Sequence, residues 1–372
     1  MAALAAASQH KRVVILERFR LPRYKTCGGG LIGISMTMLP EEITPPIRAG
    51  AVSFTFSLRG KSERTKTSDV PLVQLVQRDE FDALLVDAAA AAGAVVYDDT
   101  TVTRLTAEDE GMRVTTRNRG DICARMVVGA DGSAGRSSAY VGVELDQVDL
   151  GLEVELVTPN DQSRNWGNRI LIDWGTMPGA YGWVFPKGDT LSVGVIAERG
   201  NPDLTRSYLN DFLSRLHLDH QEVLVSSGHL TRCRAQDSPL FRDRVMVAGD
   251  AAGLLDPWTR EGISFALRSG AIAGRAAAQG AAATSAADVA SAMTAYADEI
   301  SSTLAQEMRA GRLFMRAFTR HPRLFYLAVA VLPKAWDLVV RTTSGGVTFA
   351  EITKPRVVRM LLSALGSGDK LS

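Results

Sequence analysis

The feature that most constrains this chain is a set of short, uninterrupted apolar runs that each end on an acidic or glycine-bearing turn. Val13-Val14-Ile15-Leu16 closes on Glu17, Met126-Val127-Val128 runs into Gly129-Ala130-Asp131-Gly132, and Val245-Met246-Val247-Ala248 runs into Gly249-Asp250-Ala251-Ala252-Gly253. A strand with one wet face alternates apolar and polar residues, whereas a continuous β-branched run needs cover on both faces, as parallel strands between helices have. Helical segments accompany the runs. Asp79 to Gly93 sets Phe81, Leu84, Leu85 and Ala88 on one face ahead of the strand candidate Ala94 to Tyr97, and from Glu261 the positions Ile263, Ala266, Leu267, Gly270 and Ala273 recur at helical spacing. Ala2 to Ser8 reads as the tail of an alanine-rich helix. The expected fold class is α/β with a Rossmann-like parallel sheet.

A stretch of different texture lies between these parts, from about Leu150 to Leu240. There Leu152, Val154 and Leu156 alternate with Glu153 and Glu155, as in a half-buried strand of a mainly antiparallel sheet. After Gln279 the chain becomes alanine-rich and then arginine-bearing helix. The expected organisation is a discontinuous dinucleotide-binding domain (1–36, 68–146 and 241–280), an inserted sheet domain (37–67 and 147–240) and a C-terminal helical region (281–372). With 372 residues, two or three folded units are expected.

In a dinucleotide-binding βαβ unit, an acid at the end of the second strand bonds the ribose hydroxyls roughly 20 residues after a Gly-x-Gly-x-x-Gly turn. Glu17 suits that acid, or is a polar strand end. The sixteen residues before it contain no glycine, so the first strand and its glycine loop are expected upstream of Met1, in a longer reading frame.

Pro22-Arg23-Tyr24-Lys25-Thr26-Cys27-Gly28-Gly29-Gly30, Gln77 to Asp82, Gly129 to Gly132, and Gly249-Asp250 through Glu261-Gly262-Ile263 together resemble the ordered motif set of the geranylgeranyl reductases, within the fold shared with aromatic flavoprotein hydroxylases. The resemblance covers all but about the last seventy residues and implies FAD as cofactor, with either NAD(P)H or a ferredoxin-type protein as electron donor. It also implies a role for each motif. Glu17 would face the adenosine ribose, Arg78 the phosphates, and Asp131 and Gly132 a loop over the cofactor. Gly28 and Gly30 would let backbone approach the isoalloxazine. Asp250 would accept from the ribityl hydroxyls, and Gly262 and Ile263 would turn a helix N-terminus toward the flavin pyrimidine. Cys27 is either a small packed residue or a thiol beside the flavin, and Arg78 alone would pass for a solvated or capping arginine. Arg260 stands where many relatives of the family carry glycine.

Pro178-Gly179-Ala180-Tyr181-Gly182-Trp183-Val184-Phe185-Pro186 is similar to the Pro-x-x-Tyr-x-Trp-x-Phe-Pro signature of that family. Alternation puts Tyr181, Trp183 and Phe185 on one face of a strand. Such a stripe is either core or, as the resemblance implies, the wall of an isoprenoid tunnel with Pro186 at its end.

The reaction implied is hydride transfer from reduced flavin to a carbon–carbon double bond of a prenyl (geranylgeranyl-type) lipid or quinone tail. It needs a proton for the second carbon, with Tyr181 or a bound water as donor and Cys27 as the other candidate catalytic residue. A monooxygenase on the same scaffold is the alternative enzyme. A halogenase would carry Trp-x-Trp-x-Ile-Pro, which Trp166 and Trp174 do not form. A lipid-binding remnant without FAD is the alternative outside enzymes.

Composition limits the partners. A net charge of +1 exerts no global pull on nucleic acid, and three scattered cysteines, Cys27, Cys123 and Cys233, suggest neither a disulfide framework nor a metal site. The apolar run Leu324 to Leu332 is too short to span a bilayer. Arg309, Arg312, Arg316 and Arg320 share one helical face just before it, so a cytoplasmic protein is expected, touching the inner face of a membrane through those four arginines.

Overall fold

The computed structural model describes residues 1–159, 166–175 and 177–367. The expected parallel pairs form. Val14–Leu16 pairs in parallel with Val95–Tyr97, and Val127–Gly129 pairs in parallel with Val245–Val247. The two pairs belong to separate sheets, and Val14 and Val95 are 44% and 48% exposed, whereas Val245, Met246 and Val247 are fully buried. The β-branched character of the first run therefore matches its pairing but not full burial; among the described residues that strand pairs with Val95–Tyr97 alone.

Two helices close on this part. Ala2–Ala7 packs against the long Ile263–Ala282 helix, and the contact depends on small residues: a Cβ on Gly274 would run into the Ala2 carbonyl, and one on Gly270 would come 3.2 Å from Met1 Cβ. Beneath the long helix, Phe265, Ile272 and Ala273 share a core with Val245 to Val247, Met293 and Tyr296, whose hydroxyl donates to the Val247 carbonyl. A three-stranded antiparallel sheet, Val102–Glu108, Gly111–Thr116 and Asp121–Ala124, has no counterpart in the sequence reading.

The inserted region is a seven-stranded mixed sheet in the order 223–234, 145–157, 190–198, 181–186, 169–174, 53–58 and 61–67; among the described residues its one parallel pairing joins Arg169–Trp174 to Ser53–Leu58. Val154, Leu156, Val184, Val193 and Val195 form its apolar face and pack on the helix Pro202–Arg215 through Tyr208, Leu209 and Phe212. Gly182 lies in that face, where a Cβ would sit 3.1 Å from the Phe212 ring. The opposite face carries Tyr181, Trp183, Phe185, Glu153 and Glu155, since side chains alternate along each strand. Glu153 and Glu155 were expected to face solvent, yet they are 1% and 7% exposed. The alternation is as read; what differs is that the chain around Cys27 crosses this face and covers it.

Six helices complete the chain from Ala286–Ser302 to Arg356–Gly366. The apolar run becomes the helix Pro322–Val331, and Pro333 starts the next helix at its first position, where its missing N–H costs nothing. Among the described residues, no helix is long and apolar enough to cross a membrane.

Candidate flavin and substrate site

The segment 24–30 is tied to the polar face of the large sheet at successive points. The Thr26 hydroxyl donates to Ser227 Oγ at 2.9 Å, Tyr24 Oη lies 3.2 Å from the same oxygen, and Lys187 Nζ donates to the Cys27 carbonyl at 2.9 Å. Glycines make this approach possible. A Cβ on Gly28 would stand 2.6 Å from the Phe185 ring, and Gly29 has a φ of +74° with the Val76 carbonyl where its Cβ would be. The flat ring that Gly28 admits is therefore that of Phe185. Gly30 pairs with Leu75 in a small sheet.

Tyr181, Trp183 and Phe185 form a continuous wall opposite this segment, with ring centroids 6.2 and 6.4 Å apart. The Trp183 indole fills the space left by the missing side chain of Gly194, and its Nε1 donates to Ser192 Oγ at 3.0 Å. Pro186 is buried at the end of the strand. Tyr181 donates its hydroxyl proton to the Thr259 carbonyl at 2.5 Å, and burial raises its pKa above the ordinary phenol range. That hydroxyl is occupied and strongly disinclined to ionise.

Residues to which the sequence reading gave no role in the site hold it together. Arg260 is buried with a φ of +57°, a backbone state that glycine adopts freely and arginine rarely. Its guanidinium pairs with Asp149 through two contacts of 3.2 Å, donates to the Trp258 carbonyl at 2.8 Å and lies 5.7 Å from the Tyr181 ring centroid. Behind Cys27, Lys187 Nζ pairs with Glu155 at 2.8 Å, with Glu153 beside them. The signal available in sequence was a lysine directly after Phe-Pro and two acids in the otherwise apolar run Leu150 to Val157.

The residues expected to hold the cofactor fall into two groups. Asp250 lies in the turn after Val245–Val247, with Lys25 Nζ at 3.7 Å and His229 Nε2 at 3.9 Å. Burial alone would raise its pKa, but Lys25, His229 and Arg78 outweigh that and hold it at about 2. Gly262 precedes the helix that begins at Ile263, and a Cβ there would be 3.4 Å from Asp250 Oδ1. The Ser264 N–H of that helix is taken by Glu261 at 2.7 Å, so the N-terminus is partly capped from within. The second group is linked by ion pairs: Glu17 to Arg23 at 3.0 Å, Arg23 to Asp82 at 3.3 Å, and Arg78 to Asp82 at 2.9 Å. Asp131 accepts from the Ser137 N–H at 3.1 Å and from the Ser137 hydroxyl, capping the short helix Arg136–Val141, and Gly132 has a φ of +79°. A cavity of about 600 Å³ opens beside the site, lined by Tyr24, Lys25, Arg78, Glu155, Lys187 and Thr190 among others.

Residues 31–279 match the family described as FAD binding domain. The chain is 31% identical over 258 residues to digeranylgeranylglycerophospholipid reductase 3 of Methanosphaera stadtmanae, covering 66% of this chain and 64% of that protein. It is 28% identical over 299 residues to the digeranylgeranylglycerophospholipid reductase of Methanocaldococcus jannaschii, covering 75% and 74%. A solved geranylgeranyl bacteriochlorophyll reductase-like protein of Thermoplasma acidophilum superposes with a TM-score of 0.76 at 20% identity, over 98% of this chain and 92% of that one, a likeness of fold.

Proposed function

Because the chain belongs to the geranylgeranyl reductase family of FAD-dependent oxidoreductases, we propose that it saturates carbon–carbon double bonds of a prenyl lipid or a prenyl quinone tail. The observation that carries this reading is the position of the wall of Tyr181, Trp183 and Phe185. It lies on the sheet face that the Cys27 to Gly30 segment covers rather than in the apolar core on the other side, so the aromatic stripe and the motif expected beside the flavin meet on one face.

The residues present fit a flavin dinucleotide. Asp250 is ionised at neutral pH and suits the ribityl hydroxyls; Lys25 and Arg78 bring positive charge for phosphates; the start of the Ile263 helix offers backbone N–H groups. Glu17, Asp131 and Gly132 would serve the adenosine end and its loop. When bound, FAD supplies hydride chemistry. The protein's own part is to hold the alkene against the aromatic wall, to exclude water and to supply a proton. The relatives' names speak for a prenyl-lipid substrate, and contact with the membrane that carries such a lipid belongs to the same proposal.

The test is consumption of a prenyl alkene by the flavin-reduced protein without oxygen, in wild type and Trp183→Ala. Losing the indole removes about 2 kcal/mol of apolar contact, about thirtyfold in KM for a long prenyl chain, with flavin content unchanged. Parallel loss of flavin and fold would make the stripe a structural core, and oxygen-dependent hydroxylation would replace the reductase by a monooxygenase.

A further inference from the structure

Reduction of an isolated double bond consumes a proton as well as a hydride, and the Tyr181 hydroxyl is already bonded to the Thr259 carbonyl. The polar face of the large sheet holds another acid. Glu153 pairs in register with Gly194, which in turn pairs with Trp183, so the three share one row on the side that the Cys27 segment covers. Its side chain faces the Ser192 hydroxyl, which accepts from the Trp183 indole, and the Cys27 N–H. The other oxygen, Oε1, is buried without a hydrogen-bond partner.

Charge balance decides the protonation state. Lys187 is 1% exposed and is bonded to Glu155 at 2.8 Å, which leaves Glu153 as a second buried carboxyl with no cation of its own. Ionising it would place two negative charges beside one positive charge in a dry site, and a proton on Oε1 removes that cost. Burial, with Glu155 adding to it and Lys187 opposing, raises Glu153 to about 7. The other titratable groups nearby are Tyr24 and Lys25 on the covering segment, and His229, which lies two register pairs along, on the same face, and approaches Asp250. Ser227, opposite Glu153 in the ladder, bonds Thr26 and the 44%-exposed Tyr24, so a group of hydroxyls that reaches the surface starts one strand across from the carboxyl.

We propose that Glu153 is the proton store of the reaction, acting from behind the Cys27 segment and refilled from solvent along Ser227, Thr26 and Tyr24. The proposal rests on the reductase reading. Reduced flavin, when bound, would supply hydride to one alkene carbon; the π pair forms a C–H bond at the other carbon with a proton from a water bound beside it, and that water is restored by the proton released when the Glu153 O–H bond breaks. The carboxylate left behind is held by Lys187 until a solvent proton restores it. Glu153 is a positioning and storing residue rather than one that touches the alkene.

The test uses the full chain loaded with FAD, as Glu153→Gln and Glu155→Gln beside wild type. Glu153→Gln keeps flavin content and flavin reduction, lowers alkene saturation about a hundredfold, and loses the limb near neutrality in the pH profile. Glu155→Gln frees Lys187 to serve Glu153 and moves that limb to lower pH. Infrared difference spectra, recorded without turnover, show a protonated-carboxyl band that fades as pH rises through neutrality and is absent in Glu153→Gln. Wild-type saturation rates and an unchanged pH limb in Glu153→Gln overturn the proposal, as does the lack of a Glu153-dependent band. If wild type saturates no prenyl alkene while the band is present, the reductase reading fails and takes the catalytic role with it, though Glu153 is then still shown to hold a proton.

Discussion

Replacing Arg260 with glycine sets two opposing effects against each other. The backbone at this position has a φ of +57°, and a non-glycine residue there costs about 1–2 kcal/mol that glycine would recover. The same change strips Asp149 of its partner. Asp149 is 1% exposed and keeps Gln147 Nε2 at 2.7 Å, a neutral donor that does not replace two charged contacts of 3.2 Å. Leaving a buried charge unpaired costs about 3–5 kcal/mol, so the net expectation is a loss of about 1–4 kcal/mol. The second substitution Asp149→Asn removes the stranded charge, and the double variant should regain part of that loss, giving a coupling that only a true pair produces. The assay is urea unfolding at neutral pH of wild type, both singles and the double. An Arg260→Gly protein as stable as wild type would refute the reasoning and show that relief of backbone strain outweighs loss of the ion pair.

Asp250→Ala should lower flavin occupancy, since the cofactor loses a charged acceptor worth about 1.5–3 kcal/mol; unchanged flavin absorbance after purification would remove Asp250 from the site. Burial raises both Glu153 and Glu261 from 4.5 to about 7. Both folded values lie above the unfolded ones, so the native state binds more protons between them, and stability present below about 4.5 should fall by a few kcal/mol by neutral pH. Urea midpoints across that range check it, and a flat profile in wild type would show both acids ionised. On the helix Leu304–Arg320, Arg309, Arg316 and Arg320 are exposed, while Arg312 bonds Asp146 at 3.2 Å and the Arg234 carbonyl. Flotation with anionic vesicles should weaken with salt and with Arg→Gln at the exposed three, each worth about 1 kcal/mol, whereas Arg312→Gln should chiefly cost stability. Equal recovery on neutral vesicles would exclude an electrostatic dock.

Much of the framework was legible in the sequence because it is local. Apolar runs closing on Glu17, Gly129 and Gly249 marked parallel strands; the period of Ile263 to Ala273 marked the long helix; alternation put Tyr181, Trp183 and Phe185 on one side of a strand. Each signal reports a periodicity of the backbone, which the residues themselves set. Tertiary structure decided what covers each face. Glu153 and Glu155 look solvated in sequence and are buried only because the Cys27 segment crosses them, held by Ser227 and Lys187 from strands or turns more than 150 positions away. Arg260 tolerates a glycine conformation because Asp149, 111 positions earlier, meets its guanidinium in the interior. Asp131 caps the helix Arg136–Val141 through Ser137, and Val14 stays 44% exposed in a strand whose apolar run reads as buried. Side-chain period tells which way a residue points along its own strand or helix; the charge state and chemistry of that residue follow from distant chain that folding packs against it.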